Sequence, residues 1–192
     1  DNKVKEAAYK AYIAKRPSSF VGYNNLAAVH ITKGDYSAGQ KVLEKGVSES
    51  KDNDSLQMNM GIIHRVNGDL EKAMASYDRA SRAGLTSGYN KSIIHIMNGN
   101  YDEAIASAPS SKCDHNTALA ALLNGNYDDA ISEINCQKSL SGDDYYLKAI
   151  ANARKGNVDE MAAALSLAVK EDKKFADKAT DNMEFYSYWE CA

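Results

Sequence analysis

The fold is decided by residues 57–80, which read QMNMGIIHRVNGDLEKAMASYDRA. On both sides of the triplet Asn67-Gly68-Asp69, apolar residues recur at the three- and four-residue spacing of an amphipathic helix. The first set is Leu56, Met60 and Ile63, and the second is Leu70, Ala73, Met74, Tyr77 and Ala80. Gly68 can end a helix in the left-handed conformation, and Asp69 can cap the next helix by accepting from its amides. The stretch therefore predicts a helix hairpin.

The turn at the centre of this hairpin recurs along the chain as a glycine, then Asp or Asn, then an apolar residue. The five glycines are Gly34, Gly68, Gly99, Gly125 and Gly156, at steps of 34, 31, 26 and 31 residues. Glu103 follows Asn100, and Glu160 follows Asn157, at the spacing of a capping box. A repeat of this period indicates one hairpin per copy. Hairpins that cannot bury their apolar faces alone must stack.

These residues make the chain resemble tetratricopeptide repeats (TPR), whose period is 34 residues. The family's small residue in the first helix matches Ala27, Gly61, Ser92, Ala118 and Ala149. Its small residue in the second helix matches Ala73, Ala104 and Ala130, whereas Gly39 and Met161 stand there in the first and last copies. The resemblance implies an all-α fold, a right-handed TPR-like superhelical solenoid of antiparallel helix pairs. It covers nearly the whole chain.

The repeats predict a single solenoid over residues 1–192. The predicted repeats are 20–53, 54–84, 85–110, 111–141 and 142–172, with a C-terminal cap over 173–192. Residues 1–19 are either half of a repeat, which would make the sequence a fragment of a larger protein, or an N-terminal capping helix. The buried face of this first helix is predicted to comprise Val4, Ala7, Ala8, Ala11 and Tyr12. Pro109 should cut the second helix of the third repeat to about two turns.

Composition excludes several classes of function. The chain has 23 basic and 26 acidic residues and a net charge of −3, which gives no electrostatic reason to expect a nucleic-acid partner. No apolar run approaches the length of a membrane-spanning helix. Nucleophile elbows, paired-histidine zinc helices and glycine-rich phosphate loops are also missing from the sequence. We therefore predict that the protein is not an enzyme and uses no cofactor.

Four asparagines occupy one repeat position, nine residues before a turn glycine: Asn25, Asn59, Asn90 and Asn116. The resemblance implies that this position lies on the concave groove, and that it binds the ligand in TPR domains that clamp a peptide C-terminus. Such clamps also need basic neighbours, and only Arg65, Arg154 and Lys112 are available, which argues against a carboxylate clamp. The alternative is that these amides bond between helices. Both interpretations stay open.

Apolar residues in the middle of the groove add a second prediction. Tyr89, Ile93 and Leu119 would bind an apolar or aromatic segment if they face the groove, and would be core residues if they do not. The predicted peptide-binding residues are therefore Asn25, Asn59, Arg65, Tyr89, Asn90, Ile93, Asn116 and Leu119.

The histidines are candidate metal ligands, and two of the cysteines are a candidate cross-link. His30, His64 and His95 share one repeat position, and packed helices lie roughly 8–10 Å apart, so they should not gather around a metal. No metal site is predicted. Cys113 and Cys136 flank Gly125 by 12 and 11 residues, which brings them to the open end of one hairpin, and we predict a possible disulfide there. Such a bond would imply an oxidising compartment. Cys191 would remain a thiol.

The predicted function is that of a non-catalytic protein-protein interaction scaffold, which binds a peptide segment or a partner protein in a concave groove. The alternative is a structural TPR region of a larger bacterial cell-envelope protein, docking its own chain or an envelope assembly. The repeats are rich in Asn, Asp, Ser and Tyr and are similar in this to TPR stretches of such proteins. We therefore expect a periplasmic or cell-envelope location, with the cytoplasm as the alternative. The sequence leaves the oligomeric state undecided.

Overall fold

The computed structural model describes residues 1–50, 53–108 and 113–189, with the backbone alone at Trp189. Over these ranges it contains thirteen α-helices, a short 3-10 helix at Asp54–Leu56 and no strand. The helices are α1 (Asn2–Lys15), α2 (Phe20–Thr32), α3 (Tyr36–Glu49), α4 (Gln57–Val66), α5 (Leu70–Arg82), α6 (Gly88–Met97), α7 (Tyr101–Ser107), α8 (His115–Leu123), α9 (Tyr127–Asn135), α10 (Gly142–Lys155), α11 (Val158–Glu171), α12 (Lys174–Thr180) and α13 (Met183–Trp189). The predicted all-α class is confirmed.

The helices group into two compact units, Asp1–Ile94 and His95–Ala192. The predicted single solenoid and its repeat boundaries stay predictions. None of the described helices is both long enough and apolar enough to cross a membrane.

The turn glycines have the predicted conformation. Gly34, Gly68, Gly99, Gly125 and Gly156 all have φ between 75° and 84°, and each follows the end of a helix. This left-handed region favours glycine because a Cβ would clash with the backbone there. The five predicted hairpin turns are therefore present.

The predicted caps are only partly correct. The Asp35 side chain accepts from the Ala38 amide at 3.1 Å, but Asp69, Asn100 and Asn157 make no side-chain cap hydrogen bond. The Asp69 carboxylate instead pairs with the Lys72 ammonium group at 3.3 Å. This pairing competes with the backbone amides at the start of α5 for the carboxylate oxygens. The two predicted capping boxes are thus wrong.

The first unit is built around two clusters of buried side chains. One comprises Tyr23, Ala27, Leu43, Leu56 and Ile63, which come from α2, α3, the 3-10 helix and α4. The other comprises Ala73, Tyr77 and Ile94. The helical faces predicted from residues 57–80 are thus confirmed at their centres, where Ile63, Ala73 and Tyr77 have no exposed surface.

The predicted buried face of α1 is wrong at Val4, Ala7, Ala8 and Ala11, which are exposed. Val4 is 67% exposed, and the helix has no fully buried residue. The predicted Tyr12 is half-buried and makes the contact together with Ile13, because Gly22 of α2 lies directly beneath them: a Cβ at Gly22 would lie 2.6 Å from Ile13 Cγ1. The alanines of α1 therefore face solvent.

The second unit also has two buried clusters. Ala118, Ala121, Leu122, Ala130, Ile134, Leu147 and Ala151 form the first. Ala149, Ala153, Met161, Ala164, Ala179 and Phe185 form the second, which joins α10 and α11 to the C-terminal helices. Tyr146 of α10 stacks against Phe175 and Phe185, with ring centroids 5.4 and 5.8 Å away. The two C-terminal helices thus cover an aromatic face of α10.

Two second helices are short, and for α7 the sequence predicted this. α7 has 7 residues and α9 has 9, whereas α3, α5 and α11 have 13 or 14. Pro109, which was predicted to end α7, lies outside the described residues. A shorter helix buries less apolar surface against its partner, so these hairpins need other contacts.

Candidate functional site

A surface depression of about 390 Å³ lies in the first unit, where the first turns of neighbouring helices come together. Its lining comprises Phe20, Asn24, Ser55, Met58, Asn59, Leu85 and Thr86. These residues come from the start of α2, from the 3-10 helix and the start of α4, and from the segment that precedes α6. Because successive repeats contribute equivalent positions, the depression is a product of repeat stacking. The described residues that line it carry no charge.

Asn59 crosses between two repeats at the edge of this depression. Its Nδ2 atom donates to the backbone oxygen of Asn24 at 3.1 Å and to the Asn24 side-chain oxygen at 2.9 Å. One predicted binding asparagine therefore has an inter-helix role in the structure. An amide has two donor hydrogens and an acceptor oxygen, so this role does not exhaust its bonding capacity.

The other asparagines of the column differ from one another. Asn90 Nδ2 lies 3.3 Å from the sulfur of Met58, again across neighbouring repeats. Asn25 is half-buried in α2. Asn116 lies in the second unit and is only 6% exposed, in the first turn of α8. One repeat position thus includes half-buried amides and a buried one.

The predicted apolar residues divide between surface and core. Tyr89 is 46% exposed on α6, whereas Ile93 is half-buried there. Leu119 packs against the first buried cluster of the second unit. Of these three side chains, Tyr89 presents the largest exposed fraction.

The predicted basic residues are poorly placed for a carboxylate clamp. Arg154 bonds to Glu184 Oε1 at 2.6 Å and to the Leu122 carbonyl oxygen at 3.4 Å. Lys112 lies outside the described residues. Arg65 Nε is buried and has no hydrogen-bond partner among the described groups. Burial also raises the pKa of the nearby Tyr77 hydroxyl, and the Arg65 charge opposes that rise in part.

The histidine column does not form a cluster of metal ligands. His30 is buried, with Nδ1 3.8 Å from Asp35 Oδ2. Burial lowers the pKa of His64, which favours its neutral form in helix packing. Within the described ranges, the potential ligands that do lie close together are Cys113, Glu133 and Cys136, within 4.8 Å of one another.

Cys113 and Cys136 form a disulfide in the structure, with Cα atoms 5.3 Å apart. It joins the segment before α8 to the end of α9. Cys113 has φ of 61°, and its amide donates to Glu133 Oε2 at 2.6 Å. Cys191 lies outside the described residues. The bond closes the open end of the α8–α9 hairpin.

A second contact in this region was not predicted from the sequence. His115 Nδ1 lies 2.7 Å from Asp144 Oδ1, and Ser141 and Asp144 form a capping box at the start of α10. Burial by itself raises the pKa of Asp144, but hydrogen bonds from Ser141 and His115 outweigh it and hold this pKa below its ordinary value. The Ser-x-x-Asp spacing could have indicated the cap; nothing local indicates the histidine.

Sequence reasoning also missed part of the depression. The predicted binding residues included Asn59 but not Asn24, Ser55, Met58 or Thr86. Phe20 and Leu85 were not recognised at all. Both lie at or before the first turn of a helix, where periodicity gives a weak signal because it is measured within helices.

The fold defines an α-helical repeat protein. The tetratricopeptide repeat family model matches residues 24–84, and the resemblance to these repeats is confirmed. The match includes α4 and α5, which form the hairpin predicted from residues 57–80. No curated protein matches the chain in sequence.

Solved structures with the same fold include two TPR proteins. The C-terminal part of a TPR protein from Cytophaga hutchinsonii is 18% identical over 97% of this chain and 81% of its own, with a TM-score of 0.65. YrrB, described as a TPR protein with an unusual peptide-binding site, is 16% identical over 91% and 98%, with a TM-score of 0.61. At these identities the likeness establishes the fold.

The similar structures also include a much larger assembly. The APC/C hetero-tetramer Cut9–Hcn1 contains a chain that is 13% identical over 94% of this chain, with a TM-score of 0.76. The present chain spans 39% of that chain's length.

Proposed function

We propose that this protein is a non-catalytic scaffold that binds an uncharged, partly apolar peptide segment in the depression of the first unit. The observation that carries the proposal is the lining of that depression. Phe20, Met58 and Leu85 supply apolar contact, and Asn24 and Asn59 supply amide groups at its edge. A peptide backbone needs donors and acceptors, and amides offer both. Methionine adapts to irregular surfaces because its side chain is flexible.

Because the described lining residues carry no charge, we expect the bound peptide segment to be uncharged. A carboxylate terminus or an acidic segment would find no charged partner among these residues. A neutral segment needs none. YrrB has the same fold and is described as having an unusual peptide-binding site, which agrees with peptide binding as the proposed activity.

The proposal is tested with peptides selected from a random display library against the full chain. Their dissociation constants are then measured by fluorescence anisotropy on purified variants. Leu85 is 37% exposed, so Leu85→Ala should weaken binding about tenfold or more through lost contact while stability barely changes. Asn59→Ala should also weaken binding, since Asn59 lines the depression.

Matched controls come from outside the depression. Leu167→Ala removes a leucine of similar exposure, 43%, from α11. Asn98→Ala removes an exposed amide from a turn. Both should leave affinity unchanged. Selected peptides that bind Leu85→Ala and Asn59→Ala as tightly as the original protein would exclude the depression as their site.

A second candidate function is supported by the disulfide. Disulfides persist in oxidising compartments, so the Cys113–Cys136 bond favours a structural TPR region in the periplasm or cell envelope over a cytoplasmic protein. Cells producing the chain are quenched with a thiol-alkylating reagent, denatured and assayed for modified cysteines. The chain has three cysteines, so modification of one supports this location and modification of all three opposes it.

A further inference from the structure

The end of the α8–α9 hairpin brings together two sulfur atoms and a carboxylate. The ligand atoms of Cys113, Cys136 and Glu133 all lie within 4.8 Å of one another. Glu133 is held there by the Cys113 amide, which donates to its Oε2 atom at 2.6 Å. The carboxylate is therefore positioned by backbone next to the disulfide.

We propose that, when the disulfide is reduced, Cys113, Cys136 and Glu133 bind one Zn²⁺ ion. Zinc prefers thiolate and carboxylate ligands at about 2.0–2.3 Å in a tetrahedral arrangement. Ligand atoms at the corners of such a tetrahedron lie roughly 3.5–4 Å apart, which the cluster reaches with small side-chain movements once the sulfur–sulfur bond is gone. Two thiolates with one carboxylate favour zinc over magnesium or calcium, which take oxygen ligands alone.

The conversion of the disulfide into the zinc site takes two balanced steps. A dithiol or two monothiols reduce the disulfide by exchange, which leaves two cysteine thiols and a disulfide of the reductant. Zinc then replaces the two thiol protons, which are released to solvent, and the Glu133 carboxylate adds without loss of a proton. The net charge of the bound cluster is −1, and its fourth position is left for water because Cys136 is exposed.

The histidine nearest in sequence already has another partner, which supports a site with three protein ligands. His115, two residues after Cys113, is engaged with Asp144 Oδ1 at 2.7 Å. Zinc would link the segment before α8 to α9 at the same points as the disulfide. The hairpin would then be closed in a reducing compartment by metal and in an oxidising compartment by a covalent bond.

The first test needs no change at the proposed site. Cys191 is replaced by serine in every protein, because it lies outside the described residues and would add a competing thiol. The full chain is reduced, desalted without oxygen and titrated with Co²⁺, a spectroscopic substitute for Zn²⁺. We expect one Co²⁺ per chain, with thiolate-to-cobalt charge-transfer absorption that Zn²⁺ abolishes. The oxidised protein should show none. Equal cobalt spectra for the reduced and oxidised protein would overturn the proposal.

The second test assigns the ligands. Cys136→Ser should abolish the charge-transfer absorption of a two-thiolate site, and Glu133→Gln should weaken Zn²⁺ binding about tenfold or more in competition with a chromophoric chelator. Glu103→Gln, which changes an exposed carboxylate on α7, is the matched control and should bind like the parent. Unchanged affinity in Glu133→Gln would exclude Glu133 as a ligand. Far-UV circular dichroism checks each variant's fold.

A third readout measures stability. Zn²⁺ that binds the folded reduced chain must raise its melting temperature with concentration. The oxidised chain and the reduced Cys136→Ser variant should not respond. A melting temperature of the reduced parent that is independent of Zn²⁺ would contradict the proposed site even if one variant proved unable to fold.

Discussion

The hairpins α4–α5 and α8–α9 have the same turn but are stabilised differently. In α4–α5, Tyr77 has no exposed surface and lies against Gly61, where a Cβ would overlap the tyrosine ring. In α8–α9 the equivalent positions are Ile134 and Ala118, both fully buried. The larger side chain stands opposite the smaller one in each pair. The repeat therefore conserves the volume of a contact while its residues change.

The two hairpins also differ in what reinforces them. α5 has 13 residues, whereas α9 has 9 and buries fewer side chains. The shorter hairpin has a disulfide across its open end and a contact from His115 to Asp144 of α10. The open end of α4–α5 has an ion pair instead, in which Arg79 bonds to Asp54 Oδ1 at 2.7 Å. The comparison teaches that the hairpin with the shorter second helix has a covalent bond where the longer one has an ion pair.

The largest expected effect comes from removing the buried aromatic ring between α4 and α5. Tyr77→Ala should lower the free energy of unfolding by about 3–5 kcal/mol, since it removes a fully buried aromatic ring and leaves a cavity. The measurement is urea denaturation followed by circular dichroism. Tyr186→Ala, at a residue that is 68% exposed, is the control and should change little. Equal effects would mean that the Gly61–Tyr77 contact is not central to this hairpin.

The next effect concerns the α8–α9 hairpin. Replacing Cys113 and Cys136 together by alanine should lower the free energy of unfolding by about 3 kcal/mol, because the bond closes a loop with a sequence separation of 23. Denaturation of the oxidised protein and of the double variant, in the presence of a metal chelator, gives the difference. A chelated double variant as stable as the oxidised parent would show that the short hairpin does not depend on this bond.

A residue exchange tests the volume argument directly. Gly61→Ala and Tyr77→Ile each disturb the α4–α5 contact, but together they reproduce the Ala118–Ile134 pair of α8–α9. The double variant should be more stable than the sum of the single changes predicts, by about 1–2 kcal/mol of coupling energy. A double-mutant cycle measures this coupling. Strict additivity would mean that the two positions do not share one packing site.

The smallest effect concerns Asp144 and depends on pH. Its pKa in the folded state is lower than in the unfolded chain, so its contribution to stability is complete above the unfolded value, about 3.9. That contribution is lost as the pH falls through the folded-state pKa. Asp144→Asn should therefore cost about 1 kcal/mol near neutral pH through the weakened cap, and the cost should diminish in acid.

The control for this pH effect is the neighbouring carboxylate. Asp143 is exposed and makes no capping contact, so Asp143→Asn should show little difference from the parent between pH 3 and 7. Stability curves from urea denaturation at several pH values make the comparison. If Asp144→Asn and the parent differ by the same amount at every pH, the low pKa of Asp144 does not contribute to folding.

The sequence by itself determined the local structure. Helical periodicity placed Ile63, Ala73 and Tyr77 in the core, and the turn motif identified the glycines with left-handed φ, such as Gly68. The short α7 was also predicted, from the position of Pro109. These features depend on interactions within one helix or one turn, and such interactions involve residues close together in the chain.

Only the tertiary structure decided which polar groups pair. The sequence suggested Asn59 as a groove residue, but the structure shows its amide bonded to Asn24 in the preceding repeat. His115 of α8 likewise meets Asp144 of α10. Such pairings depend on distances between helices, and the hydrophobic periodicity of the sequence does not specify those distances. For the same reason, the depression between α2 and α4 was found only after the repeats were packed together.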